Sequence, residues 1–137
     1  MGLYLCVFDD DRELDGVEVG SYADFQFFRE TVTDLPEEGN AGSKYPILIL
    51  HADSDGMWTQ TECKSLKDEL ENISDDLKLF PAVQFRAEWQ QQVGKSLGLR
   101  LSCLYDSFID VDGEPLLERL IRLCDVAIKS EQPILFQ

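Results

Sequence analysis

Two segments of this chain set a pair of aspartates one residue apart ahead of a glycine: Asp53-Ser-Asp-Gly56 and Asp110-Val-Asp-Gly113. Spaced carboxylates before a sharp turn suit a hard divalent cation, which collects several oxygens from a short loop. Counted from His51, the first segment supplies Asp53, Asp55 and Gly56, with Glu62 at the position that closes a calcium loop. His51 itself occupies the first ligand position, where a nitrogen suits calcium poorly, and Arg119 falls at the closing position of the second segment. So short a pattern favours the competing account, in which Asp and Gly supply turn chemistry and a negative start for the helices that follow.

The second segment, Phe108-Ile-Asp-Val-Asp-Gly113, is also similar to the signature of haloacid-dehalogenase-type phosphatases, a strand that delivers a nucleophilic aspartate and an acid two residues on. That chemistry needs a downstream magnesium-binding acid pair and a lysine to steady the phosphoryl charge, and too little chain follows Asp112 to provide them. Glu114 stands where the signature wants a hydroxyl or small apolar residue. A calcium or magnesium module, or a metal-dependent phosphohydrolase, is therefore the alternative reading. His51 is the only histidine, so every Ser-His-Asp or Cys-His arrangement would depend on it. Hydrogen bonding to its neighbours is its expected role. Trp58 lies among polar neighbours, where an indole either anchors a protein contact or covers the core edge. Trp89 is expected in the core.

Charge carries more information than any of these motifs. Twenty-seven acidic side chains face twelve basic ones across 137 residues, a formal charge of −15. Six carboxylates (Asp9, Asp10, Asp11, Glu13, Asp15, Glu18) crowd between positions 9 and 18, with Arg12 the one base among them. Phosphate would be repelled, so nucleic acid is excluded as a ligand, and a cationic protein surface is favoured. A solvated loop that aids solubility is the plain alternative, although the mutual repulsion makes more sense if a partner relieves it. The apolar fraction of 44% is that of a folded protein, and one domain spanning 1–137 is expected. No apolar run is long enough to cross a bilayer, and the start of the chain lacks the basic segment and cleavage site of a secretory signal. A cytoplasmic protein without a membrane partner and without a cofactor is expected. Cys6, Cys63, Cys103 and Cys124 are far apart and form no C-x-x-C pair, so they are expected as reduced, mostly buried small hydrophobes.

The elements that must position these residues follow from periodicity. Leu3 to Phe8 is expected as a buried strand, with the acidic stretch after it forming either a hairpin with a short second strand or an exposed loop. Ser21 and Asp24 form a capping box ahead of a helix striped by Tyr22, Phe25, Phe28, Val32 and Leu35, which Pro36 stops. Ile47 to Leu50 is expected as a central strand, with His51 at its C-terminal end. Thr59 and Glu62 form a second capping box, opening a helix with Cys63, Leu66, Leu70, Ile73 and Leu77 on one side. Phe85, Trp89, Val93 and Leu97 stripe a third helix ending near Gly98, and Pro115 opens a last helix to about Lys129. Ser107 to Asp110 and Pro133 to Phe136 are expected as short strands. The fold class is α/β or α+β: a small sandwich with a sheet of three to five strands and about four helices.

Four segments together carry a resemblance. Met1-Gly-Leu-Tyr-Leu-Cys-Val-Phe8, Asp15-Gly-Val-Glu-Val-Gly-Ser-Tyr-Ala-Asp-Phe25, His51-Ala-Asp-Ser-Asp-Gly-Met-Trp-Thr59 and Tyr105-Asp-Ser-Phe-Ile-Asp-Val-Asp-Gly-Glu-Pro-Leu117, with the tail to Gln137, resemble the immunity protein 70 family of bacterial polymorphic toxin systems. The resemblance implies a cytoplasmic antidote that blocks a cognate secreted toxin domain by stoichiometric occlusion and catalyses nothing. A nuclease, with its basic cleft, is one toxin the charge would suit. No residue roles come with the resemblance. The candidate contacts are Asp9, Asp10, Asp11, Glu13, Asp15 and Glu18, with Asp53, Asp55 and Trp58 as a second patch on the same edge of the sheet.

Overall fold

The computed structural model describes residues 2–52 and 56–137. Strand β1 (Gly2–Asp9) turns through Asp10 and Asp11 into β2 (Arg12–Ser21), and helix α1 (Tyr22–Asp34) follows directly. A one-turn helix α2 (Pro46–Ile49), the two-residue strand β3 (Met57–Trp58), and helices α3 (Gln60–Leu77) and α4 (Glu88–Leu97) come next. A 3-10 turn at Leu104–Ser107, helix α5 (Leu116–Ser130) and strand β4 (Ile134–Phe136) complete the chain. The four strands form one antiparallel sheet in the order β2-β1-β4-β3, which makes this a small α+β fold.

The alternation of β1 builds the core. Leu3, Leu5 and Val7 are buried on one face and join Val17, Phe25, Phe28 and Leu48 in the hydrophobic core. Helices α3 and α5 pack against each other beneath it. Their stripes, Cys63, Leu66, Leu70, Ile73 and Leu77 against Leu116, Leu120, Leu123, Cys124 and Ala127, are all buried as the 3.6 period requires. Both capping boxes form: Ser21 Oγ accepts from Asp24 N at 3.0 Å, and Thr59 Oγ1 accepts from Glu62 N at 3.2 Å. All four cysteines are free thiols, and only Cys103 is more than slightly exposed.

Four expectations are corrected. Ile47–Leu50 is no strand: Pro46 takes the first helical position, and the Glu69 carboxylate accepts from Ile47 N at 3.1 Å and Leu48 N at 3.0 Å, closing a helical turn. Four apolar residues fit a buried strand and a buried helical turn equally well, and here a distant carboxylate decides. The second strand of the hairpin is not short, since β2 runs for 10 residues. Ser107–Asp110 contributes a single bridge, Ile109 to Pro115. The third helix begins at Glu88, after Phe85, and its packed side carries Gln90 and Gly94. Trp89 is accordingly only half-buried, with its indole N–H donating to Asp24 Oδ2 at 3.0 Å.

Candidate functional site: the acidic hairpin and the open sheet face

Two residues link β1 to β2, and the first, Asp10, takes φ 54°. Aspartate tolerates that left-handed conformation better than most residues, so the tip is acidic partly because the turn selects for it. Asp9, Asp10 and Asp11 are all exposed there beside Arg12. Two register shifts in the hairpin, at Leu3/Tyr4 and Val7/Phe8, then determine where the remaining acids point. Glu13 pairs with Phe8 and Glu18 with Tyr4, on the face opposite the core. Asp15 pairs with Val7 and turns toward α5.

The six carboxylates therefore divide into three groups: Asp9, Asp10 and Asp11 at the tip, Glu13 and Glu18 on the outer face, and Asp15 alone on the helical side. Asp15 Oδ1 accepts from Gly16 N at 2.8 Å and lies 3.4 Å from Arg119 Nη2, whose other contact is the Gly16 carbonyl at 2.7 Å. The Glu18 carbonyl accepts from Val111 N at 3.1 Å. Side chains and a loop thus close the outward polar groups of β2 at Gly16 and the Glu18 carbonyl, although β2 is the edge strand.

The outer face carries one row in register across the whole sheet: Gly16, Cys6, Leu135, Met57. Tyr4 lies over Gly16, where an added Cβ would sit 1.9 Å from the phenol oxygen, and its hydroxyl donates to Glu13 Oε1 at 2.6 Å. Burial, then the Glu13 hydrogen bond and charge, push the Tyr4 phenol well above its ordinary value. Burial, with Glu13 nearby, likewise pushes the Cys6 thiol up to about 11, leaving it an inert hydrophobe. Tyr4, Cys6, Phe8, Leu135 and Met57 all stand outside the core cluster.

At the base of the hairpin a cleft of about 640 Å3 opens between the strands, the start of α1 and the start of α4. Tyr4 and Glu18 line it from the sheet, and Arg86 and Trp89 from the opposite wall. Asp24 organises this wall: its carboxylate accepts from Ser21 N at 2.9 Å, Trp89 Nε1 at 3.0 Å and Arg86 Nη1 at 2.8 Å. Burial alone would raise its pKa, but the hydrogen bonds from Ser21 and Trp89 and the Arg86 charge together hold it below the ordinary aspartate value. Gly20, at φ 114°, lets the Trp89 ring close on the strand, since a Cβ there would approach Cζ2 to 2.7 Å.

Of the second patch expected from sequence, only Trp58 lies among the described residues. Trp58 is 1% exposed, its indole donating to the Ile47 carbonyl at 3.0 Å, so of its two possible roles it takes the core one. Asp53 and Asp55 lie outside the described residues. Met57 begins β3, and the order β2-β1-β4-β3 puts that strand at the opposite edge from the hairpin's second strand. His51 is engaged locally, as expected: Nδ1 lies 2.7 Å from the Ala52 carbonyl and Nε2 2.8 Å from the Met57 carbonyl, a neutral ring donating to one of the two, and it stacks on Phe136.

The second aspartate-glycine segment is structural. Asp110 is 1% exposed, and its Oδ1 accepts from Asp112 N at 2.9 Å and Glu114 N at 3.0 Å. Its Oδ2 lies 3.3 Å from Arg119 Nε, so both oxygens are committed inside the protein. Among the described residues no group of three or more His, Cys, Asp or Glu side chains is arranged to hold a metal ion. The metal and phosphohydrolase reading is not favoured. Sequence reasoning missed Tyr4, Arg86, Leu135 and Met57, although the alternation of β1 already placed Tyr4 and Phe8 on the face away from the core.

An open sheet face bordered by exposed carboxylates has the composition of a protein-binding surface. The sequence matches the family described as immunity protein 70 over residues 3–136, and the chain belongs to that family, the immunity proteins of toxin systems. No curated protein and no solved structure matches the chain significantly. Among the described residues no helix is long and apolar enough to cross a membrane.

Proposed function

We propose that this protein binds a cognate toxin domain in the cytoplasm and blocks it by one-to-one occlusion, without turnover of its own. Membership of the immunity protein 70 family supports the class. The observation that carries the mode of binding is the set of exposed carboxylates on one hairpin: Asp9, Asp10 and Asp11 at the tip, with Glu13 and Glu18 on the outer face. Asp15, engaged by Arg119, is left out of the proposed contacts. Asp53 and Asp55, outside the described residues, enter this reading through their charge alone.

Such a surface steers a cationic partner and accelerates encounter. A nuclease, whose phosphate track is basic, is the toxin chemistry that fits best. The test is co-expression with a toxin domain sought among the genes adjacent to the one for this chain. Replacing Asp9, Asp10, Asp11, Glu13 and Glu18 by their amides is expected to lower the association rate at least about tenfold at low salt and to flatten the salt dependence of that rate. Full protection of the host and an unchanged rate in this variant would defeat the proposal.

A further inference from the structure

We infer that the toxin docks on the open outer face of the sheet, with an apolar centre at Tyr4, Phe8, Leu135 and Met57 and the acids forming its rim. This rests on the immunity reading above and assigns its surface. Carboxylates alone would steer an encounter but hold little, because exposed ion pairs contribute weakly. Interfaces gain their strength from desolvated aromatic and aliphatic centres surrounded by polar residues. The outer face has that composition. Met57 is 46% exposed, Tyr4, Phe8 and Leu135 are half-buried, and Glu13 and Glu18 pair with Phe8 and Tyr4 at their border. None of the four belongs to the hydrophobic core.

The occupant follows from charge. A second copy of this chain would bring Glu13 and Glu18 against themselves in a molecule already at −15. A cationic protein surface with apolar side chains at its middle meets both the rim and the centre. Strand addition along β2 is not the route, since the Gly16 N–H and the Gly16 and Glu18 carbonyls already have partners. The cleft at the hairpin base continues this face, because Tyr4 and Glu18 belong to both, and it provides a recess for one anchoring side chain.

The experiment measures binding of the toxin domain against which this chain protects a co-expressing host, inactivated in its own active site. Met57→Lys is expected to weaken affinity about 30-fold or more at an unchanged melting temperature. Leu79→Lys, at an 82% exposed leucine just past α3, leaves affinity unchanged. A second readout needs no substitution: peroxide oxidation of Met57 in the wild-type protein is slower in the complex than in the free chain, and it decides alone should the variant fail to fold. Affinity of Met57→Lys within about threefold of wild type, or equal oxidation with and without toxin, overturns the assignment. So does a wild-type dimer that Met57→Lys converts to a monomer, which would make the face a self-interface. A wild-type chain that neither binds nor protects removes the immunity reading and this surface with it, whereas binding that ignores Met57 removes the surface alone.

Discussion

At the scale of single residues, Asp24 shows how a buried carboxylate is kept ionised. Desolvation opposes its charge, and the Ser21 N–H, the Trp89 indole and Arg86 more than offset that opposition. Its folded-state pKa therefore lies below the value of 3.8 expected when unfolded. A depressed carboxylate contributes stability above its unfolded pKa and loses it as pH falls through the folded one. Urea unfolding of the wild type is thus expected to weaken between about pH 5 and pH 3, with Asp24→Asn showing a shallower decline over that range. Parallel curves for the two proteins would count against this role. Arg119 has a comparable part on the other side of the hairpin, where one guanidinium lies near Asp15, Asp110 and Glu114 and reaches the Gly16 carbonyl.

At the scale of elements, α2 depends on a side chain more than twenty residues away. With Glu69 removed, two N–H groups at its first turn lose their acceptor. Glu69→Ala is expected to cost about 1–2 kcal/mol. It should also speed hydrogen exchange at Leu48 well before α3 or α5 opens; exchange there that tracks global unfolding would refute the point. This dependence explains what could be read from sequence. Helices α1, α3 and α5 were legible because their stripes and capping residues are local signals. The turn at Pro46–Ile49 was not, because its deciding group lies in α3. The hairpin was legible as an acidic stretch after a strand. The division of its acids was not, because two register shifts reassign side chains between faces and leave no composition signal. Trp58 had polar sequence neighbours, yet folding lays it against Phe136 and the Ile47 carbonyl.

At the scale of the whole molecule, a charge of −15 works against compactness, whereas the proposed recognition would draw on it. Screening should relieve part of that strain: raising sodium chloride from about 20 mM to about 500 mM is expected to increase the melting temperature by a few degrees. A flat or falling curve would mean that self-repulsion is negligible here. The same salt weakens association with a cationic partner, so stability and binding move in opposite directions. A different consequence follows from the closed stretch of β2 at Gly16 and Glu18. Because main-chain groups there are already engaged by Asp15, Arg119 and Val111, a partner docked as proposed would read interchangeable groups projecting from a fixed frame. The address of this antidote is then written in substitutable letters, and a descendant could be redirected to a new adversary with its scaffold unaltered.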